Sequence, residues 1–469
     1  MSKLFANRRN FLKLGLGGIA TGAIAPSLWI PRTSRAALTI PSSRHNHMLL
    51  FSLDGGARTV PMFNGNVDNR WNPYGVQAGS NGTEWGVSGV FDNMPYQDTV
   101  ALGMPAVPPI TAISHEIAVL STIDHTPGAS SGVGDHQTAR NWIGSGFGEG
   151  GPGVISRIYA NHKNYTLGSN GLVFPPALIG TGQATTPLGA PDGSITPVMV
   201  PSHSEFVAQN GDDAGGQPDW ARALEAGLDG YAIASRSNRH KQVIARLANG
   251  KANVEAFRNV FLDPALKVES EPSGSANGLT NAQLAAILGT SQFGRDTALA
   301  LRFLGYGSAA VCIGDSGNAA ASVGGWDTHS GEMTAYPASA NNLARVLCGV
   351  NYALKLMPHP EGGTYWDHTI IGCVTEFGRD NVMDNGYNSG GGSDHTGGPG
   401  SRYQSYFVTG GLVTKGGSIF GRTDASTMEV MNGEPVFGTT AYYAMMMAVL
   451  DIETESFWPG LDPVNVVFG

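Results

Sequence analysis

The chain has 469 residues, room for one large domain with insertions or for two to three ordinary ones. Its 41% hydrophobic content and mean hydropathy of -0.09 exclude both a disordered chain and a polytopic membrane protein. The net charge of -9 conceals an asymmetry: six bases and no acid precede residue 37, leaving 22 bases against 37 acids beyond it, a balance that repels phosphate backbones and anionic lipid and argues against nucleic-acid or membrane-surface binding.

The first element in chain order is an address. Residues 7–13 read NRRNFLK, followed by the apolar stretch LGLGGIATGAIAPSLWI and by Ser34-Arg35-Ala36. This resembles a twin-arginine signal peptide with a small-x-small cleavage site, Asn7 standing where serine is usual. The stretch is glycine-rich, interrupted by Pro26 and shorter than the roughly 20 strongly apolar residues of a span. Cleavage after Ala36 and no stable membrane span thereafter are expected. The resemblance implies the twin-arginine export machinery as a partner, with a folded chain delivered to the periplasm or beyond. Residues 1–36 are read as the signal and 37–469 as the mature domain.

From there short β-rich runs end in loops rich in glycine, which at 66 residues is about twice its usual share. HMLLFSL runs into DGGART, and EIAVLSTI into DHTPGASSG, before the helical pattern HQTARNWI. From about 185 to 308 a polar loop and long helical periodicity interrupt the rhythm and read as a helical insertion. AAVCIG then runs into DSGNAAASVGGWDTH, a long amphipathic helix reaches Met357, TIIGCV runs into TEFGRD, YQSYFV into TGG, and TTAYYAMMMAVLDI closes the chain as a buried helix. Apolar strands alternating with helices predict an α/β fold, a mostly parallel sheet with helices on both faces, whose ligands gather at the carboxyl ends of the strands. Cys312, Cys348 and Cys373 form no CxxC, sit in apolar runs and are expected to be buried thiols.

Among the histidines next to or near an acid in those loops are His136 in GDHQTAR, His329 in GGWDTHSG and His395, after Asp394, in GGSDHTGG. His368 also follows an acid but opens a strand, which assigns it to the opposite sheet edge. Asp327 and His329 are two apart, so extended backbone sends both side chains to one face, a chelating arrangement. Carboxylates and imidazoles are what borderline divalent metals bind. Two hydrolase look-alikes are set aside. Gly128 to Gly132 matches GxSxG but lacks the strand-to-helix elbow the motif requires, and Gly314 to Gly317 mimics a serine-protease signature in a chain that is not all-β.

LLFSLDGGA, GDHQTARNWIGSG, GGWDTH, TEFGRD and GGSDHTGG, in that order, resemble the exported proteins of domain-of-unknown-function family fifteen-oh-one, which look like members of the alkaline phosphatase and sulfatase superfamily. The resemblance covers most of the mature chain and implies an alkaline-phosphatase-like fold. It assigns Asp54 to one metal and Asp327, His329 and His395 to the other, with Ser130, Ser131 or Asp135 near the nucleophile position. Where the superfamily usually carries Asp-His the chain reads Glu376-Phe377, which supports one metal site rather than two. The candidate ligands for a divalent metal (Zn, Mn or Ca) are therefore Asp54, Asp327, His329, Glu376, Asp394 and His395. Ser131, His136, Arg58 and Arg379 are the candidate catalytic residues, the two arginines as holders of an anion. The function so implied is an exported metal-dependent hydrolase of phosphoric or sulfuric esters acting on a small anionic ester. The alternative is a non-catalytic exported binding or assembly protein, on a degenerate scaffold of this kind, that engages an exported partner protein.

Overall fold

A computed structural model describes residues 40–64, 67–77, 87–162, 174–180, 182–209, 263–317, 325–380 and 393–469. The unit from Thr39 to Gly469 is compact; the expected signal and its cleavage point lie outside the described residues. Among the described residues nine strands form one sheet. They are β1 (His47–Leu53), β2 (Ala118–Asp124), β3 (Ala177–Ile179), β4 (Val198–Val200), β5 (Ala310–Asp315), β6 (Thr369–Thr375), β7 (Tyr403–Thr409), β8 (Ile419–Phe420) and β9 (Phe437–Gly438). Their order is β8-β2-β7-β6-β1-β5-β3-β4, with β9 beside β2. The protein is thus mixed α/β with a large, mostly parallel sheet. Only β7, among the described strands, runs against the rest, pairing antiparallel with both β6 and β2.

Every residue of β1, β5 and β6 is buried. Successive side chains leave a strand on opposite faces, so this requires cover on both, and it explains why these strands read as continuous apolar runs rather than as alternation. The principal helices are α1 (His136–Ser145), α2 (Val154–Asn161), α3 (His203–Gln209), α4 (Asn281–Leu288), α5 (Gln292–Gly305), α6 (Glu332–Leu356) and α7 (Thr439–Val449). α7 is the expected buried helix: Met445, Met446 and Met447 are fully enclosed. The three cysteines are free and buried. Burial pushes their thiols well above the usual range, so they behave as small apolar residues rather than nucleophiles. No described helix is long and apolar enough to cross a membrane.

The expected insertion at 185–308 lies partly outside the described residues. Of its described parts, β4 extends the main sheet beyond β3, and α5 is buried along most of its length against the core. α6 carries the chain from β5 across to β6, and both strands run parallel to β1. Because β7 is antiparallel to β6, residues 376–380 after β6 and 393–402 before β7 lie at the same carboxyl edge, and the TGG turn after β7 falls at the opposite one.

Candidate functional site

The carboxyl edge collects five chain segments. β1 ends at Leu53 and leads into Asp54, Gly55 and Gly56; β6 ends at Thr375 and leads into Glu376. The segment Trp326–His329 precedes α6, and 393–398 precedes β7. α1 starts there because Asp135 caps it, its carboxylate accepting the Thr138 amide at 2.8 Å, which satisfies one of the helix's orphan donors and fixes His136 as the first helical residue. Two glycines permit the approach of these segments. Gly55 has φ +81°, and a Cβ there would stand 2.7 Å from Asp327 Cβ. A Cβ on Gly134 would stand 2.2 Å from the His395 carbonyl oxygen.

Four side chains converge: His136, Asp327, His329 and His395 offer donor atoms that all lie within 4.8 Å of one another. His329 Nε2 is 3.1 Å from Asp327 Oδ1 and 3.1 Å from His395 Nε2. His395 Nε2 is 3.9 Å from Asp327 Oδ1, and His136 Nε2 is 3.6 Å from Asp327 Oδ2. Four donors placed tetrahedrally at the 2.0–2.2 Å of a zinc site stand about 3.4 Å apart, so these separations bracket what one ion needs. Asp327 and His329 stand side by side in this group, on a segment that is not an extended strand but turns through His329 N donating to the Asp327 carbonyl at 3.1 Å, with Thr328 buried between them.

The outer contacts set the tautomers. His395 Nδ1 donates to the Gly134 carbonyl at 2.7 Å, and His136 Nδ1 donates to Glu376 Oε2 at 2.5 Å. Each ring therefore turns an Nε2 lone pair toward the Asp327 carboxylate. Burial, and after it the Arg379 guanidinium, lowers the pKa of His395, which keeps that lone pair free. His329 Nε2 lies within hydrogen-bonding distance of both His395 Nε2 and Asp327 Oδ1, so the group is joined either by a proton on that nitrogen or by a cation in its place. Phe377 cannot coordinate; its ring stacks on His395 with centroids 4.0 Å apart.

Several candidates take other positions. His136, read as catalytic, belongs to the donor group itself. Glu376 is fully buried and outside that group: one oxygen holds His136 and the other accepts the Gly55 amide at 3.0 Å. Asp394 is half exposed, with its nearest oxygen 3.7 Å from His329 Nδ1. Asp54 faces away, its carboxylate accepting the amides of Gln183 and Ala184 at 3.1 and 3.0 Å. It lines a polar pocket of about 540 Å³ together with Asp296, Asp315, Gln292 and Asn342. Burial raises Asp54 and Asp315 to a pKa of about 6 each.

The two candidate anion-binding arginines are structural. Arg58 is enclosed, with Nε 2.5 Å from Glu332 Oε1 and Nη2 donating to the Asp380 carbonyl at 2.8 Å. Arg379 spends its donors on the carbonyls of Gly55, Gly56, Trp326 and Ser393 and on Asp327. Ser131 is exposed, and Thr126 Oγ1 donates to its carbonyl; no hydrogen bond ties its hydroxyl to the donor group. Asp135 is engaged as the cap of α1. At the other edge His368 precedes β6 as expected and stacks on His359 at 3.8 Å.

Sequence reasoning missed Arg140, although it stands within the segment GDHQTARNWIGSG. Its spacing of four from His136 on a helix, which brings both side chains to one face, was the available signal.

Residues 208–454 match the model of a family described as a protein of unknown function (DUF1501), more than half of the chain. No curated protein matches.

Proposed function

The chain belongs to the DUF1501 family, and on that footing we propose that it is an exported, metal-dependent hydrolase of phosphoric or sulfuric esters on an alkaline-phosphatase-like scaffold, working with one metal site. The observation that carries this reading is the convergence of His136, Asp327, His329 and His395 within 4.8 Å. Three imidazoles to one carboxylate suit zinc or manganese better than calcium, which takes oxygen ligands.

When bound, the ion supplies Lewis-acid polarisation of a phosphoryl or sulfuryl oxygen and lowers the pKa of water. The protein's own groups do the rest. Glu376 and the Gly134 carbonyl hold the His136 and His395 rings with their lone pairs inward, and Arg379 neutralises Asp327 from behind. With Ser131 exposed and its hydroxyl unconnected to the group, water is the nucleophile proposed here. The test is metal analysis of the exported chain with turnover of aryl phosphate and aryl sulfate esters. One equivalent of zinc or manganese and turnover abolished by chelator are expected; a metal-free, inactive protein would sink the enzyme. Phe377 in the place of a second-site ligand and the position of Ser131 favour the second reading, a binding or assembly protein on the same scaffold, and that outcome would leave it standing. Export is proposed from the signal-like terminus. Amino-terminal sequencing of the exported form should begin near Ala37, and an intact Met1 there would refute cleavage.

A further inference from the structure

The arginines of the carboxyl edge differ in what remains of their donors. Arg58 and Arg379 are enclosed, each bound to backbone carbonyls and to one carboxylate, Glu332 and Asp327 respectively. Arg402 donates to Asp124 at 2.8 Å and to the Ala129 carbonyl at 3.1 Å. Arg140 is different. Its Nε lies 3.2 Å from Glu376 Oε1, off the hydrogen-bonding direction. Among the described residues this buried nitrogen, like Arg58 Nη1 and Arg402 Nε, has no hydrogen-bond partner, but unlike those two arginines Arg140 has no backbone carbonyl holding its guanidinium. The side chain is 24% exposed whereas its partner carboxylate is fully covered, so the guanidinium is held on one side and open on the other.

Its place is set by Glu376, whose two oxygens touch His136 Nδ1 at 2.5 Å and Arg140 Nε at 3.2 Å. One carboxylate thereby fixes both the ring that feeds the donor group and the guanidinium one helical turn further along α1. Charge completes the argument. Asp327 is matched by Arg379 and Glu376 by Arg140, which leaves Asp394, 3.7 Å from His329 Nδ1 and half exposed, as the carboxylate beside a divalent cation held there, so that part of the ion's charge stays unmatched. Such a centre favours an anionic ligand, and the planar fork of an arginine suits the paired oxygens of a phosphate or sulfate.

We infer that Arg140 is the anion-binding residue of this site, the group that holds a tetrahedral oxyanion, phosphate or sulfate ester, against the His136, Asp327, His329 and His395 centre. The inference rests on the reading of that centre as a metal site. Its test uses the full mature chain loaded with zinc, with inorganic phosphate as the probe in titration calorimetry and zinc content measured on the same samples. The wild type is expected to bind phosphate competitively with sulfate. Arg140→Gln should keep one zinc and lose phosphate affinity at least tenfold, and Arg140→Lys, which keeps the charge opposite Glu376 without the fork, should fall between. If turnover is measurable, the loss should appear chiefly in KM. A wild type that holds zinc but binds no phosphate, or an Arg140→Gln that binds it as the wild type does, overturns the inference while the metal reading stands. A wild type that holds no zinc overturns both. If Arg140→Gln loses its zinc, Arg140→Lys decides: zinc retained with phosphate affinity unchanged overturns the inference, and zinc retained with weakened phosphate binding upholds it.

Discussion

At the residue scale Glu376 carries more of the site than any of the four donors. It is fully buried, and its oxygens divide among the His136 ring, the Gly55 amide and Arg140. A buried carboxylate is tolerated only when such partners satisfy it. Glu376→Gln keeps the volume but removes the charge that fixes the His136 tautomer. Loss of a ligand-orienting partner costs about 10- to 100-fold in metal affinity, and zinc titration of this variant is expected to fall in that range, whereas Asp394→Asn, at an exposed side chain outside the group, should change affinity little. Equal effects of the two would mean that Asp394, not Glu376, supports the centre.

At the scale of the element, α1 acts as a lever. Its start is set by Asp135 and its end by Gly146, which takes the left-handed conformation at φ +81°, so His136 and Arg140 sit one turn apart at the end of the helix facing the site. Removing the cap with Asp135→Ala costs about 1 kcal/mol of stability and loosens the first turn, where His136 lies. Denaturant unfolding should register a loss of that size, and zinc affinity should fall in parallel. A variant that lost stability yet bound zinc as tightly as the wild type would separate the helix start from the site.

For the whole molecule, the donors come from three loops distant in sequence and adjacent only at the edge of the sheet: α1's start, the segment before α6, and the segment before β7. A ligand shared by such segments binds the folded state and not the unfolded one, so it stabilises by mass action, by about 4 kcal/mol at a free concentration 1,000 times its dissociation constant. The melting temperature should therefore climb with the logarithm of zinc concentration. In His329→Ala that climb should largely vanish while the metal-free melting temperature stays close to the wild type's, because His329 is half exposed. An equal zinc response in both proteins would exclude this group as the binding site.

Sequence by itself determined what depends on neighbours along the chain. The continuous apolar runs announced the buried parallel strands, the closeness of Asp327 and His329 along the chain marked them as a candidate pair, and glycine-rich strand ends located the edge where the chemistry-bearing residues lie. Only the tertiary structure decided what depends on residues far apart in sequence: that β7 runs antiparallel to β6 and so starts beside His395 at the edge where β6 ends, that His136 joins the donor group, that Asp54 turns to the amides of Gln183 and Ala184, and that Arg58 and Arg379 are enclosed within the fold. The physical reason is that a charged side chain's role is set by which partners desolvate and satisfy it. At this edge those partners are backbone carbonyls, amides and carboxylates contributed by other loops, and no local pattern in the chain announces them.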